Sequence, residues 1–171
     1  EEKFKKFLSD LGLLTTLDFD IEEIGKPLEL KWGKCKLATS AYGHGITTTP
    51  IQLAKGYSIL TNGGYDIKPT LILDEKKRDI KYQKIISEDV SQKINLALRK
   101  IVTMKEGTAS FANIDGYEVA GKTGTAQKSA YGSYSKKKIN TFASIFPASD
   151  PKYVLIVLLD EPKPNKDYIY E

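Results

Sequence analysis

The feature that most constrains the fold is a change in hydrophobic periodicity along the chain. In the first hundred or so residues, apolar side chains recur at helical spacing, whereas from Ile114 onward the pattern is that of strands. The run from Tyr153 to Leu159 is continuously apolar, which predicts a strand buried on both faces. Helices followed by an antiparallel meander of three strands are typical of an α+β fold.

Three helices are predicted from their caps and apolar stripes. The first covers Glu1 to Leu11, and the second begins at Pro50, behind a threonine that can cap it, and runs to Leu60. Residues 15–39 show no clear period and are predicted to be mostly loop. The third helix begins at Ser87 with acidic residues in its first turn, and its apolar stripe consists of Val90, Ile94, Ala97, Leu98 and Ile101.

Three strands are predicted in the second half. The alternation of Tyr117, Val119 and Gly121 predicts the first strand, which runs into Lys122, and Ile139–Phe146 predicts the second. The apolar run described above is the third. Residues 130–138 are rich in Gly, Ser, Tyr and Lys and predict a long hairpin loop, and the Asp-Pro pair at 150–151 predicts a tight turn.

Composition limits the possible functions. The 171 residues suffice for one domain or a large part of one, and no stretch of 18 apolar residues is present that would span a membrane. The net charge of +4 is mild and scattered, so no nucleic-acid partner is expected. One histidine, His44, and one cysteine, Cys35, cannot form an ordinary zinc site. Because the chain begins at Glu1 without a methionine or a signal segment, we expect it to be an excerpt of a longer protein.

One motif has two interpretations. Gly116–Thr123 fits the phosphate-binding pattern G-x-x-x-x-G-K-S/T, and the apolar strand ending at Asp160-Glu161 resembles a magnesium-holding strand. A phosphate-binding loop must open a helix whose N-terminal amides hold the phosphates. The residues after Thr123 have little helical propensity, and those before it alternate like a strand. A nucleotide-binding protein therefore remains as an alternative.

The second interpretation takes Lys122–Thr125 as part of a substrate-binding strand. Lysine supplies a cation for a substrate carboxylate, and the hydroxyls of Thr123 and Thr125 can bind the same group. Gly124 has no side chain to block a ligand at the strand edge. An extended peptide can then be bound by main-chain hydrogen bonds.

The surrounding sequence resembles the class B penicillin-binding proteins. Residues 119–127, VAGKTGTAQ, resemble the KTGTAQ segment of these enzymes. Residues 42–54, YGHGITTTPIQLA, are similar to the family's YGxGIxxTPxQLA stretch, and TNGG at 61–64 is similar to the ANGG that follows it. Further similar segments occur in the right order at residues 4–12, 142–147 and 153–162. The resemblance therefore covers nearly the whole chain and is greatest to the division-type enzymes, with an elongation-type relative as the other option.

This resemblance implies an activity and a fold. Residues 1–171 would be the C-terminal portion of a single transpeptidase domain with the fold of penicillin-binding proteins and serine β-lactamases. The implied reaction is D,D-transpeptidation. A serine attacks the D-Ala-D-Ala carbonyl of a peptidoglycan stem peptide, D-alanine leaves, and a second stem amine resolves the acyl-enzyme. β-Lactams acylate the same serine, and no metal or other cofactor is implied.

The family's site residues carry over to four positions. Lys122 would stabilise negative charge and assist proton transfer in the site. Thr123 and Gly124 would line the substrate cleft. Thr125 would bind the substrate carboxylate through its hydroxyl, and its backbone N–H would be one oxyanion donor. These assignments follow from the resemblance alone.

The family's nucleophile is not in this chain. Its S-x-x-K and S-x-N motifs precede KTG, and neither occurs before Lys122 here. Ser133-Tyr-Ser-Lys136 has the first spacing but follows KTG, so we interpret it as an accident of a Ser- and Lys-rich loop. The isolated chain is therefore predicted to be inactive. Residues 165–171 would be only the approach to the family's closing helix.

The remaining predictions concern single residues and the whole protein. His44, between two glycines, is expected to have a structural role, and no function is assigned to Trp32 or Cys35. Tyr131 and Tyr134 fit either the rim of a substrate groove or an exposed hairpin. The resemblance implies a parent protein anchored in the inner membrane, with this domain on the periplasmic side among cell-division proteins. A β-lactam sensor of the same fold is a further alternative.

Overall fold

The computed structural model describes residues 1–28, 32–73, 82–130 and 133–163, with the backbone alone at 129, 130, 133, 134 and 136. Within these ranges the helices precede the strands, which confirms the predicted α+β class. None of the described helices has the length and apolar character to cross a bilayer. The elements are α1 (Glu2–Asp10), α2 (Lys34–Ser40), α3 (Pro50–Thr61), α4 (Glu88–Thr103), a 3₁₀ turn (Ser110–Ala112), β1 (Ala120–Ala130), β2 (Ser133–Phe146) and β3 (Tyr153–Asp160).

The three strands form an antiparallel sheet in the order β1-β2-β3. Lys122 lies opposite Ala143, and its neighbour Thr123 lies opposite Phe142. The pairing of β1 with β2 continues to Ala130 after a register shift beyond Gln127, and β2 begins at Ser133. The predicted long loop over residues 130–138 is therefore wrong, because ladder pairing overrides the weak strand propensity of these residues.

The core lies between one face of the sheet and the helices α3 and α4. The sheet contributes Ala120, Ala143 and Ile145, which are almost fully buried. Ile59 of α3 and Val102 of α4 are buried as completely, and these helices pack on the sheet and on each other. The resulting two-layer packing fixes the position of β1, because α4 contacts this strand directly.

The start of α3 is the best-anchored helix terminus. Thr49 is the N-cap, and its hydroxyl accepts the backbone N–H of Gln52 at 3.2 Å, while the Gln52 side chain accepts the backbone N–H of Thr49 at 2.9 Å. Gln52 is fully buried and also donates from Nε2 to the carbonyl oxygens of Gly12 at 3.2 Å and Thr15 at 2.7 Å. One side chain therefore caps α3 and ties the loop after α1 to it.

The predicted apolar stripe of α4 is partly wrong. Val90 and Ala97 are exposed, whereas Ser91 is buried and Asn95 is half-buried. The hydroxyl of Ser91 accepts the backbone N–H of Gly63 at 3.0 Å, and Nδ2 of Asn95 donates to the carbonyl of Thr61 at 3.2 Å. Polar residues thus occupy part of the inward face because they satisfy backbone groups at the end of α3.

Three further expectations need correction. The apolar side chains of β3 are not buried on both faces: Val157 is 43% exposed and Leu159 is 54% exposed, because β2 is the only strand paired with β3 in the described ranges. Tyr117 lies in a turn rather than in β1, since Gly116 and Glu118 have φ values of 83° and 47°. The short helix α2 was not predicted, because seven residues are too few to show a period.

We predict that Gln52→Ala lowers the free energy of unfolding by about 2–4 kcal/mol. The substitution removes half of the capping box and leaves the carbonyl oxygens of buried Gly12 and of Thr15 without the Gln52 donor. Thermal and urea unfolding of the whole protein, followed by circular dichroism, would measure the change. Gln92→Ala, on the exposed face of α4, is the control and should change the stability by less than about 0.5 kcal/mol. Equal unfolding midpoints for the two variants would contradict the role of Gln52.

Candidate active site

The N-terminal end of β1 is fixed from two directions. Arg99 of α4 donates from Nη1 to the carbonyl of Val119 at 2.6 Å. Ala148, in the turn between β2 and β3, donates its N–H to the carbonyl of Glu118 at 2.9 Å. The side-chain hydroxyl and backbone N–H of Ser149 donate to the Glu118 carboxylate and hold its pKa below the ordinary range. The strand therefore enters the sheet at a defined position.

Lys122–Thr125 occupy consecutive positions in the first half of β1. The Nζ atom of Lys122 donates to the carbonyl oxygen of Thr123 at 2.6 Å and to its Oγ1 at 3.3 Å. The hydroxyl of Thr123 donates to the hydroxyl of Thr108 at 3.0 Å. Because strand residues alternate between faces, Thr123 and Thr125 share one face and Lys122 projects from the other.

Two glycines in this strand have opposite environments. A Cβ atom at Gly121 would lie 2.6 Å from the carbonyl oxygen of Ala143 and 2.8 Å from the ring of Phe142, so the packing of the chain itself requires glycine there. A Cβ atom at Gly124 would meet only the carbonyl oxygen of Thr141, at 4.0 Å. Neither the packing nor a positive φ requires glycine at this second position. The free space beside Gly124 is available to a ligand.

The outer edge of β1 is open. Within the described residues, β1 pairs with β2 and with no second strand. Lys122, Gly124 and Thr125 are exposed, and Thr123 is half-buried. An unpaired strand edge presents backbone donors and acceptors that an extended peptide can use.

Two grooves meet at Lys122–Thr125. The first, which we call the Thr108 groove, has a volume of about 390 Å³ and is lined by Thr108 and by side chains of β2 and β3, among them Phe142 and Val157. The second, which we call the His44 groove, has a volume of about 570 Å³. It lies between the sheet and the segment that leads into α3, and its lining includes Tyr42, His44, Thr48, Leu53 and Tyr57.

His44 therefore lies in a groove next to the predicted site residues. Its backbone N–H donates to the carbonyl of Thr39 at 3.0 Å, and its ring lies 5.2 Å from that of Tyr42, measured between centroids. The backbone bond agrees with the expected structural role, but the position was not predicted. Thr108 was missed entirely, because a single Gly-Thr pair between a helix and a strand carries no recognisable signal in the sequence.

The phosphate-binding interpretation does not fit this geometry. Gly116 lies in a turn, and Lys122 and Thr123 lie inside an eleven-residue strand rather than at the start of a helix. No helix N-terminus is therefore available at this motif to hold a phosphate. The acidic pair that ends β3 is bound to lysines, since Asp160 accepts from Lys128 at 2.6 Å. The nucleotide alternative has no support.

A cluster of charges, which we call the lysine clamp, holds the far end of β1. Lys128 contacts Asp160 at 2.6 Å and Glu161 at 2.8 Å, and Lys137 of β2 contacts Glu161 at 3.0 Å. Hydrogen bonds from Lys128 and Lys137 hold the pKa of Glu161 below its ordinary value. Hydrogen bonds to Asp160 and Glu161 raise the pKa of Lys128. The clamp joins all three strands next to the register shift.

Some predicted residues cannot be placed in this site. Tyr131 lies outside the described residues, as do residues 165–171, and the side chains of Ser133, Tyr134 and Lys136 are not described. Trp32 lies far along the chain from KTG, and the ammonium of Lys5 lies over its ring at 5.9 Å from the centroid. Cys35 is exposed. The four KTG-strand positions are the predicted residues that the structure brings together.

The chain matches the family described as the penicillin binding protein transpeptidase domain over residues 1–170. It is 35% identical to stage V sporulation protein D of Bacillus subtilis, over 95% of this chain and 27% of that protein. It is 30% identical to the probable peptidoglycan D,D-transpeptidase FtsI of Caulobacter vibrioides, over 96% of this chain and 29% of that protein. The apo transpeptidase domain of penicillin-binding protein 3 from Burkholderia pseudomallei superposes with a TM-score of 0.86 at 25% identity, covering 94% of this chain and 50% of that one.

These findings define the class of protein as an α+β transpeptidase domain of the penicillin-binding protein family, which confirms the fold expected from the sequence. The chain belongs to the penicillin-binding protein transpeptidase domain family. It spans 27% and 29% of the length of the two curated relatives and half of the solved domain.

We predict opposite effects of adding one methyl group at the two strand glycines. Gly121→Ala should lower the free energy of unfolding by about 1–3 kcal/mol, because its Cβ would press on the backbone of Ala143 and on Phe142. Gly124→Ala should leave the stability unchanged or raise it by up to about 1 kcal/mol, since the site has space and alanine has less entropy to lose. Urea unfolding of the whole protein would measure both. A larger loss for the Gly124 variant than for the Gly121 variant would contradict the packing described above.

The lysine clamp predicts a defined pH window. A lowered pKa of Glu161 means that its contribution is present above pH 4.5, its ordinary pKa, and is lost as the pH falls through the lowered value. The raised pKa of Lys128 means that its contribution is lost only as the pH rises above its ordinary 10.5. Carbon-detected NMR titration should show that Lys137→Ala raises the pKa of Glu161, whereas Lys93→Ala, on α4, should not. An unchanged Glu161 pKa in the Lys137 variant would disprove the clamp.

Proposed function

We propose that the protein containing this chain is a serine D,D-transpeptidase that cross-links peptidoglycan stem peptides and is acylated by β-lactams. The single observation that carries this proposal is the open edge of β1 at Lys122–Thr125, flanked by the two grooves. An edge strand can bind an extended peptide through its main chain, and the lysine and the threonine hydroxyls supply partners for a carboxylate. Membership of the transpeptidase family supports the same assignment.

In the proposed mechanism the nucleophile comes from outside these 171 residues. Its hydroxyl oxygen forms a bond to the carbonyl carbon of the penultimate D-alanine, and the bond to the leaving D-alanine breaks. The backbone N–H of Thr125 is one donor to the oxyanion that forms. The amine of a second stem peptide then displaces the enzyme oxygen, so that the hydroxyl is regenerated and a cross-link remains.

Each residue of the strand has a proposed part in this reaction. Lys122 brings a positive charge next to the reacting groups and takes part in moving their protons. The Thr125 hydroxyl binds the terminal carboxylate of the donor peptide, and Thr123 lines the cleft beside it. Gly124 keeps the strand edge clear, in agreement with the free space around its Cα.

We also propose that the chain is the C-terminal portion of one transpeptidase domain. The exposed apolar side chains of β3, such as Leu155 at 48% and Leu158 at 46%, support further parts of the domain that pack against this sheet. The proposed protein is membrane-anchored, with this domain on the periplasmic side of the inner membrane and cell-division proteins as partners. Similarity to a protein named FtsI supports this location.

We predict that Lys122→Gln in the whole protein lowers the rate of acylation by a fluorescent penicillin by at least about a hundredfold. A positioned proton-transfer group typically contributes factors of this size, and glutamine keeps a polar side chain, one bond shorter, without the charge. Lys93→Gln, which removes an exposed α4 lysine paired with Asp89, is the matched control and should react like the wild type. Intact-mass spectrometry should show one penicilloyl adduct on the wild-type protein.

The alternatives have separate outcomes in this experiment. Acylation of the wild type without any turnover of D-Ala-D-Ala peptides would indicate a β-lactam sensor of the same fold. No acylation at all would reject both the enzyme and the sensor. If the Lys122→Gln variant were acylated at the wild-type rate, the proposed role of this lysine would be rejected. The family assignment would be unaffected.

A further inference from the structure

Thr108 joins the segment between α4 and β1 to the KTG strand. The two hydroxyl oxygens of Thr123 and Thr108 lie 3.0 Å apart, with Thr123 donating, and the residues are 15 positions apart in the chain. Thr108 also lines the Thr108 groove together with Lys122–Thr125. It is the described residue outside the sheet that lines this groove, so its contact with Thr123 lies next to the proposed substrate position.

The backbone around Thr108 is held tightly. The N–H of Gly107 donates to the carbonyl of Met104 at 2.9 Å, and a Cβ atom at Gly107 would lie only 1.9 Å from the carbonyl oxygen of Ile101. On the other side, Ala109 is 6% exposed, and the N–H of Ser110 donates to the carbonyl of Gly107 at 3.0 Å. The segment that follows α4 therefore holds the Thr108 hydroxyl next to β1, in a position that the backbone cannot easily change.

The side chain itself contributes little to packing. Thr108 is exposed, and its side chain is hydrogen-bonded to the hydroxyl of half-buried Thr123. An exposed pair of hydroxyls exchanges its mutual hydrogen bond for water at little cost in stability. A rigid backbone that carries an exposed hydroxyl into a ligand groove is better explained by a role in the site than by a role in folding.

We propose that Thr108 is a positioning residue for the substrate carboxylate and acts through Thr123. A hydroxyl can donate one hydrogen bond and accept others, whereas an ionised carboxylate can only accept. In the structure the hydroxyl of Thr123 accepts a hydrogen bond from the ammonium of Lys122 and donates one to the hydroxyl of Thr108. When a carboxylate bound by the Thr125 hydroxyl occupies the groove, Thr123 turns its proton to the same carboxylate as a second donor, and Thr108 turns its proton to Thr123.

This exchange keeps the oxygen of Thr123 hydrogen-bonded in both states. No covalent bond changes, and the donors only rotate about their C–O bonds. With Thr108 as donor, the hydroxyl of Thr123 becomes polarised and donates more strongly to the carboxylate. Without it, the oxygen of Thr123 has Lys122 or water as its only hydrogen-bond donor whenever its own proton is turned to the substrate. The inference rests on the proposed transpeptidase function, because that function supplies the substrate carboxylate.

The test uses the whole protein and three substitutions. Thr108→Val keeps the shape of the side chain without its hydroxyl, and Thr108→Ser keeps the hydroxyl. Thr103→Val is the matched control, because the Thr103 hydroxyl donates within α4, to the carbonyl of Arg99 at 3.1 Å, and Thr103 does not line the Thr108 groove. Each protein is assayed with a D-Ala-D-Ala peptide that ends in a free carboxylate and with the same peptide as its C-terminal amide.

For the carboxylate peptide, Thr108→Val should lower kcat/KM by about fivefold, mainly through a higher KM, as expected for the loss of one hydrogen bond to a bound group. Turnover of the amide should be unchanged. The serine variant and the Thr103 control should stay within about twofold of the wild type on both peptides. Circular dichroism should show the same melting temperature for all four proteins, and Thr108→Ala would replace the valine variant if that one failed to fold.

The outcomes separate the inference from the function on which it rests. An equal loss on both peptides, or a loss in kcat alone, would show that Thr108 does not act on the carboxylate and would overturn the inference. If no variant turned over the amide, the split between KM and kcat on the carboxylate peptide would decide. A wild-type protein that neither turned over the peptide nor reacted with penicillin would reject the proposed function instead.

Discussion

The site depends on one constraint, the antiparallel pairing of β1 with β2. This ladder sets which residues of the KTG segment face each way: Lys122, opposite Ala143, projects from one face, and Thr123 and Thr125 project from the other. A shift of one residue would exchange the two sets. The register is held at the N-terminal end by Arg99 and the turn after β2, and at the far end by the lysine clamp. The close approach of Gly121 to Ala143 leaves little freedom between these points.

The parts of the fold that could be predicted are those with local causes. Thr49 as the N-cap and Pro50 at the first helical position were sufficient to predict the start of α3, which the structure confirms, although the part of Gln52 in the cap was not predicted. The α4 stripe was only partly right because Ser91 and Asn95 take inward positions to satisfy the backbone at the end of α3. No local pattern can report such a partner, which is about thirty residues away along the chain.

The candidate site divides in the same way. Lys122–Thr125 were found from their chemistry and their resemblance to a family, both of which lie in contiguous residues. Thr108 and His44 reach the same strand through the tertiary fold, from the end of α4 and from the segment before α3. The strand residues that carry the motif are thus predictable, whereas the groove walls around them are set by long-range packing and are not.

The environments of the strand glycines distinguish what the fold needs from what a ligand needs. Gly121 is required by contacts within the chain, whereas at Gly124 the nearest atom beyond its chain neighbours is the carbonyl oxygen of Thr141, at 4.0 Å. A residue that packing does not require, placed beside a lysine and two threonines on an open strand edge, is explained by a partner that occupies that edge. An extended peptide ending in a carboxylate satisfies both the edge and the side chains, which a phosphate held by a helix terminus does not. The same strand can thus be rigid in its backbone and free at its outer surface, which is the combination that the proposed peptide-binding function requires.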